Sequence, residues 1–273
     1  MLNVVSEFWS SANAFYWISL IISSLIGFLF GYAANVLSGP HSARFKEWIA
    51  GGHLRGLLRL GGDEVIIVVP HQTAPSDRRL PQVAVEDVLA LRNVFEILAE
   101  LGIRHPRIRH PENLVEPDLK RNIISIGGSS RNSFTKAILE LTVSGDVLAF
   151  TQSSIEPTQI ELKRGNTMTY ASPSYHGTPS DQPRARSKDV AFILRRPNPK
   201  NKSCSVIILA GIRGIGTWGA SDHLRKHAKA LAARVRRDQE GAAKHGFLAV
   251  VEAEYENFDI VQSRVKDITC VVG

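Results

Sequence analysis

The chain has 273 residues, with 33 Lys and Arg against 26 Asp and Glu and a net charge of +7. Its only cysteines, Cys204 and Cys270, exclude a disulfide framework, and each lies in an apolar run where it reads as a reduced core residue. The basic balance favours anionic partners: inner-leaflet lipid, nucleic acid or phosphorylated small molecules.

From Ala14 to Leu37 no residue is charged, and a bilayer core is crossed by about 20 apolar residues at about 1.5 Å each. One transmembrane helix near Phe15 to Leu37 is expected. Glu7 is the only charge ahead of it, so the basic start and A-x-A-like site of a cleaved signal peptide are missing, and a retained anchor is the better reading. A buried core helix seldom runs so far without a polar stripe, and Ser19, Ser23 and Ser24 are able to bond back to the helix. Beyond the span come Arg44, Lys46, Arg55 and Arg59 against Glu47. By the positive-inside rule the N-terminus lies outside and the C-terminal bulk in the cytoplasm. Phe45, Trp48, Ile49, Leu54, Leu57 and Leu58 interleave with those basic residues as a segment on the lipid surface would. Gly27 and Gly31 form a small-xxx-small pair, a route to a homo-oligomer within the bilayer. The expected organisation is residues 1–37 with the anchor, a basic juxtamembrane segment 38–62, and a cytoplasmic domain 63–273, the last two together carrying a net charge of +8. That domain is long enough for one large α/β unit or two small ones.

The cytoplasmic part alternates strands and helices. Glu64 to Val69 is a continuous apolar run of the buried parallel kind, ending at Pro70. A helix follows over about Val83 to Leu101, with Val88, Leu91, Phe95 and Leu98 as its apolar face, Glu86 and Asp87 at its positive end, and Gly102 as its stop. Asn122 to Ile126 is a second strand, running into Gly127-Gly128-Ser129-Ser130-Arg131-Asn132 and then a helix marked by Phe134, Ala137, Ile138 and Leu141. Residues 147–171 read as two short strands about Gly165-Asn166, a small antiparallel insertion, and 172–188 as a loop or lid. Strands return at Val190 to Leu194 and Val206 to Ala210, separated by a polar turn from Arg195 to Asn201. The second of them meets Gly211-Ile212-Arg213-Gly214-Ile215-Gly216-Thr217-Trp218-Gly219 and a helix to about Arg237; two apolar runs near 247–251 and 268–272 close the sheet edge. The expected fold is α/β and Rossmann-like, a mainly parallel sheet with flanking helices, its successive strands joined by right-handed crossovers.

Both glycine turns sit where a parallel strand hands over to a helix, so bare backbone and free amides face whatever binds there. In the first turn, Gly127 and Gly128 allow close approach, Ser129, Ser130 and Asn132 offer donors, and Arg131 offers a bidentate partner for phosphate. In the second, Gly211, Gly214 and Gly216 open the backbone, Arg213 and Thr217 offer donors, and Trp218 a stacking surface for a base. The alternative is that such glycines only make tight turns. No cofactor is called for: the dinucleotide fingerprint is incomplete and GxxxxGK[ST] is absent. His223 and His227 share a helix face without a third ligand, so no metal is expected. Ser129 or Ser130 with His176 or His223 and Asp189 or Asp222 makes a formal triad, but no G-x-S-x-G elbow supports it. The cations from Arg225 to Arg237 lack interleaved aromatics and read as a solvated face, not a nucleic-acid surface.

A strand ending in Gly127-Gly128, and a later strand ending in Gly214-x-Gly216-Thr217 before a helix, resembles the SLOG superfamily. That resemblance implies a Rossmann-like fold binding nucleotides or nucleotide sugars. The glutamate that hydrolytic members place after G-x-G-T is missing, since Trp218-Gly219-Ala220-Ser221-Asp222 follow, so it implies binding more than catalysis. The set Gly127-Gly128 with Asn132, Asn198-Pro199 with Asn201, and Ala210-Gly211 with Gly216-Thr217 is also similar to Rossmann-like domains of prokaryotic surface-layer and membrane-associated proteins, which imply little about chemistry. The expected function is binding or sensing of a phosphorylated or nucleotide-like ligand by a single-pass membrane protein. A membrane-attached hydrolase of such ligands and a ligand-free scaffold are the alternatives.

Overall fold

The computed structural model describes residue 23 and residues 52–60, 62, 64–71, 82–142, 149–153, 156–164, 166–172, 187–238, 245–257 and 259–271. The expected span at 15–37, its Gly27 and Gly31, and most of the loop at 172–188 lie outside the described residues. Among those described, no helix is long and apolar enough to cross a membrane. From residue 52 onward they belong to one compact unit, Ala50–Gly273.

The architecture is mixed α/β. A seven-stranded sheet runs in the order β10-β9-β7-β8-β3-β1-β2, where β1 is Val65–Val68, β2 Arg107–Arg109, β3 Asn122–Ile126, β7 Ser187–Asn198, β8 Asn201–Gly211, β9 Phe247–Glu256 and β10 Asp259–Cys270. A separate antiparallel sheet holds β4 (Ala149–Ser153), β5 (Glu156–Arg164) and β6 (Asn166–Ala171), so the insertion has a strand more than its turn signal foretold. The helices are α1 (52–58), α2 (Val85–Glu100), α3 (Glu116–Leu119), α4 (Ser133–Thr142) and α5 (Gly214–Asp238).

Strands β2, β1, β3 and β8 are mutually parallel. The expectation of parallel succession fails at β7, which pairs antiparallel with β8 as a hairpin, Ala191 opposite Gly211 and Arg196 opposite Val206. The polar segment 195–201 was too short to hold a helical crossover. It is instead mostly strand: Arg195 and Arg196 are buried within β7, and burial beside Arg59 pushes the Arg195 guanidinium down to about 10. Asn198 and Asn201 close the turn and bond to the carbonyls of Leu119, Arg121 and Lys120, clamping the chain as it enters β3. The terminal hairpin of β9 and β10 continues antiparallel pairing from β7 to the sheet edge. Neither cysteine is bridged.

Alternation along each strand fills two cores. Val65, Ile67, Ile124, Ile193, Ile207, Leu209 and Ala249 face one layer, with α1, α2 and α5; Ile66, Val68, Ile123, Phe192, Ile208 and Val250 face the other, with α4 and Ile160 of the insertion. Near-continuous apolar strands are what a sheet covered on both faces needs. Helix α2 ends as expected at Gly102, whose φ of 78° places it in the left-handed region. The Gly102 N–H bonds to Ala99 O and the Ile103 N–H to Leu98 O, a Schellman closure. Its buried face, however, is Asp87, Ala90, Asn93, Val94, Ile97 and Leu98, while Val88 and Phe95 are exposed. In α4 the expected stripe likewise turns, with Phe134, Ile138 and Leu139 buried and Ala137 and Leu141 outside.

Leu54, Leu57 and Leu58 do not serve as a lipid-facing segment. Helix α1 buries all three in the first core, and Arg55 Nη2 donates to Leu101 O at 3.1 Å, so the domain begins before residue 63. Truncating a fully buried leucine typically costs about 2–5 kcal/mol. Leu58→Ala is expected to lower the urea midpoint of the chain accordingly, whereas a segment lying on lipid would leave that midpoint unchanged.

Candidate functional site

The order β2-β1-β3-β8 reverses direction between β1 and β3: from β1 the chain passes through α2 to β2 on one side, while β3 and β8 lie on the other. Helices α2 and α4 pack on opposite faces. The carboxyl ends of the strands therefore diverge into a crevice at this point, the usual ligand position in open α/β sheets. A cleft of about 460 Å3 opens there. Gly127, Gly128, Ser130 and Arg131 wall one side, and Gly211, Arg213, Gly214 and Thr217 another. The two turns thus meet in one cavity, with Pro70 and Asp87 beside them.

The first turn is built from the end of β3. Gly127 has φ of 92° and donates its N–H to Leu209 O at 2.9 Å, a conformation that side chains disfavour. The backbone N–H groups of Arg131 and Asn132 then close on Gly128 O. Asn132, expected as a ligand donor, is fully buried and caps α4 instead: its Oδ1 accepts from Thr135 N at 3.1 Å, and its Nδ2 donates to Ser125 Oγ at 2.9 Å and Ile126 O at 2.8 Å. Thr135 Oγ1 donates to Gly127 O at 3.1 Å and lies 2.8 Å from Ser125 Oγ. An asparagine just before a helix is a strong capping signal, and that reading wins. The N–H groups of Gly128, Ser129 and Ser130 bond to no group among the described residues. Exposed Arg131 stands at their rim.

The second turn is different, because a residue of the protein occupies it. Asp189, fully buried at the start of β7, accepts from Gly216 N at 2.8 Å and Arg213 N at 3.2 Å through one oxygen, and from its neighbour Val190 N at 2.8 Å through the other. Burial pushes its carboxyl up to about 6, even with those donors and Ser172 pulling it down. Thr217 Oγ1 accepts from Gly211 N at 2.9 Å. The Gly216 amide is therefore spent on the fold, while Thr217, which lines the cleft, has its hydroxyl oxygen held by Gly211. Trp218 does not line the cleft; its carbonyl receives the Ser221 hydroxyl at 2.7 Å. A methyl group on Gly216 would lie 2.6 Å from Asp189 Oδ2. Gly216→Ala is expected to cost about 1–3 kcal/mol by stripping buried partners, measured as a fall in melting temperature.

By sequence Asp87 is only an acid at a helix start, yet it is 5% exposed and turned into the cleft. Burial raises its carboxyl from 3.8 to about 6; Arg131 opposes that rise and Glu86 adds to it. The folded chain thus holds this proton more tightly than the unfolded chain, so the stabilisation is complete below about pH 3.8 and is lost as pH rises through about 6. Relative to wild type, Asp87→Asn is expected to become more stable by up to about 3 kcal/mol between about pH 4 and pH 7. Parallel denaturation profiles for the two proteins would put Asp87 in water.

Other candidates disperse. His223 Nδ1 lies 3.0 Å from Ser263 Oγ, its ring 4.9 Å from that of His227, and burial pushes it down to about 4. It therefore forms no triad with Ser129 or Ser130; His176 lies outside the described residues. No group of metal-ligating side chains forms among those described. Along α5, Arg225 pairs with Glu96 and Asp222, Lys226 with Asp222, and Arg234 donates to Val265 O. Those cations serve intramolecular contacts. No protein-family model matches the chain, and no curated protein is similar to it.

Proposed function

We propose that this chain is a single-pass membrane protein whose cytoplasmic, Rossmann-like domain binds a phosphorylated or nucleotide-like small molecule in the cleft at the β1/β3 divergence. The observation that carries the reading is the Gly128–Arg131 turn. Three adjacent backbone N–H groups without partners among the described residues lie just before α4, and two of them belong to the cleft-lining Gly128 and Ser130, a donor set suited to a phosphate. Arg131 adds a guanidinium at the rim.

Gly128 supports the same reading. Its φ lies outside the left-handed region, and a Cβ there would meet nothing closer than Gly211 O at 3.4 Å. The fold tolerates a side chain at this position, while a ligand against the backbone would not. The uncharged stretch from Ala14 to Leu37 and the cations after it support the anchor and its orientation. The resemblance to SLOG domains rests on the same glycine turns, now with the first turn as the binding element and the second as its buttress.

The 273-residue chain in detergent is expected to gain thermal stability with AMP or a related nucleotide, since a ligand selective for the folded state raises its melting temperature. Losing a charge-assisted contact costs about 1.5–3 kcal/mol. Arg131→Ala is expected to weaken the selected nucleotide roughly ten- to a hundredfold by isothermal titration, with an unchanged melting temperature in its absence. Equal affinity in the variant would leave only the backbone amides as the anion site.

A further inference from the structure

The cleft has an acceptor as well as donors. Asp87, nine-tenths buried, makes no hydrogen bond or ion pair among the described residues, yet it lines the same cavity as Gly128 and Ser130. An acid in the first turn of α2 is explained by the helix dipole, but Glu86 already meets that need from the neighbouring position. Among the described residues nothing in the packing of α2 supplies a hydrogen-bond donor to this inward-turned carboxylate, and an acceptor held so far from water without a donor is destabilising. Across from it a Cβ on Gly127 would lie 4.0 Å from Asp87 Oδ1, so the acid borders the phosphate-type turn directly.

We propose that Asp87 accepts a hydrogen bond from a sugar hydroxyl of the ligand, so that the site selects phosphate monoesters carried on a hydroxylated ring over phosphate groups without one. This rests on the reading of the Gly128–Arg131 turn as an anion site. An anionic phosphate and a carboxylate within one cleft of about 460 Å3 repel each other. A hydroxyl on the ligand turns that penalty into a charge-assisted bond, whereas a bare or alkyl phosphate leaves Asp87 unpaired and repulsive. The acid that a dinucleotide fold places at the end of its second strand is thus supplied here from α2, after the first.

Ribose 5-phosphate and methyl phosphate share the monoester and differ in the hydroxylated ring, so the ratio of their affinities isolates the contribution of Asp87. By isothermal titration at pH 7.5 the wild-type chain is expected to prefer ribose 5-phosphate by about tenfold or more. Asp87→Asn, which keeps the shape and removes the charge, is expected to bring the ratio to within about threefold, chiefly by tightening methyl phosphate. In wild type the ratio is expected to shrink as pH falls below about 6, where Asp87 takes up its proton under the influence of Glu86 and Arg131. If both probes bind wild type equally, or the ratio survives in Asp87→Asn, Asp87 is not the hydroxyl acceptor and the anion site stands without it. If neither probe nor any nucleotide binds wild type, the anion site itself falls, and this assignment with it.

Discussion

One buried carboxylate organises the ligand end of this sheet. Asp189 leaves β7 and closes on the amides of Arg213 and Gly216, so the β7–β8 hairpin is tied at its open end to the start of α5. A helix N-terminus carries partial positive charge and unpaired donors, and here an internal anion takes two of them, at Arg213 and Gly216. Removing those amides from competition gives the two glycine turns unequal roles, although their sequences look alike. The second turn is partly filled from within, while in the first three adjacent N–H groups have no partner among the described residues.

The first turn owes its shape to a different network. Ser125, Asn132 and Thr135 are fully buried and bonded to one another and to the carbonyls of Ile126 and Gly127. A satisfied polar cluster of this kind is stiff, because each lost partner exposes a buried group to the cost of desolvation. Stiffness matters for the anion site proposed at this turn, because backbone donors are useful only if they are already aimed. The cleft then sets donors and an acceptor side by side, the Gly128–Arg131 turn bordering the Asp87 carboxylate.

The mixed sheet serves the same end. Parallel pairing among β2, β1, β3 and β8 aligns their carboxyl ends, which is where the glycine turns and the start of α2 converge. The antiparallel β7, β9 and β10 extend the sheet away from the cleft, and the insertion docks on them, with Tyr170 Oη donating to Asp267 Oδ2 at 3.3 Å. Charged side chains along β10, among them Arg264 and Lys266 bonded to Glu252, and its two register shifts suit an edge that must not pair with another sheet.

By itself the sequence determined the elements whose signals are local. Apolar runs at 65–68, 122–126 and 206–209 are strands because continuous hydrophobicity of that length is buried on both faces of a sheet. Gly102 stops α2, and Gly127, Gly211 and Gly216 mark the strand-to-helix turns, because left-handed or crowded backbone there admits little else. What only the tertiary structure decided depends on distance through space. Strand direction at β7 followed from a hairpin turn whose asparagines find carbonyls some eighty residues away. The fate of Leu54, Leu57 and Leu58 followed from the presence of a core for them to enter, which periodicity cannot distinguish from a lipid surface. Asn132 and Asp189 became structural, and Asp87 became the inward-facing acid, because a polar side chain's role is set by which donors and acceptors the fold brings within about 3 Å of it.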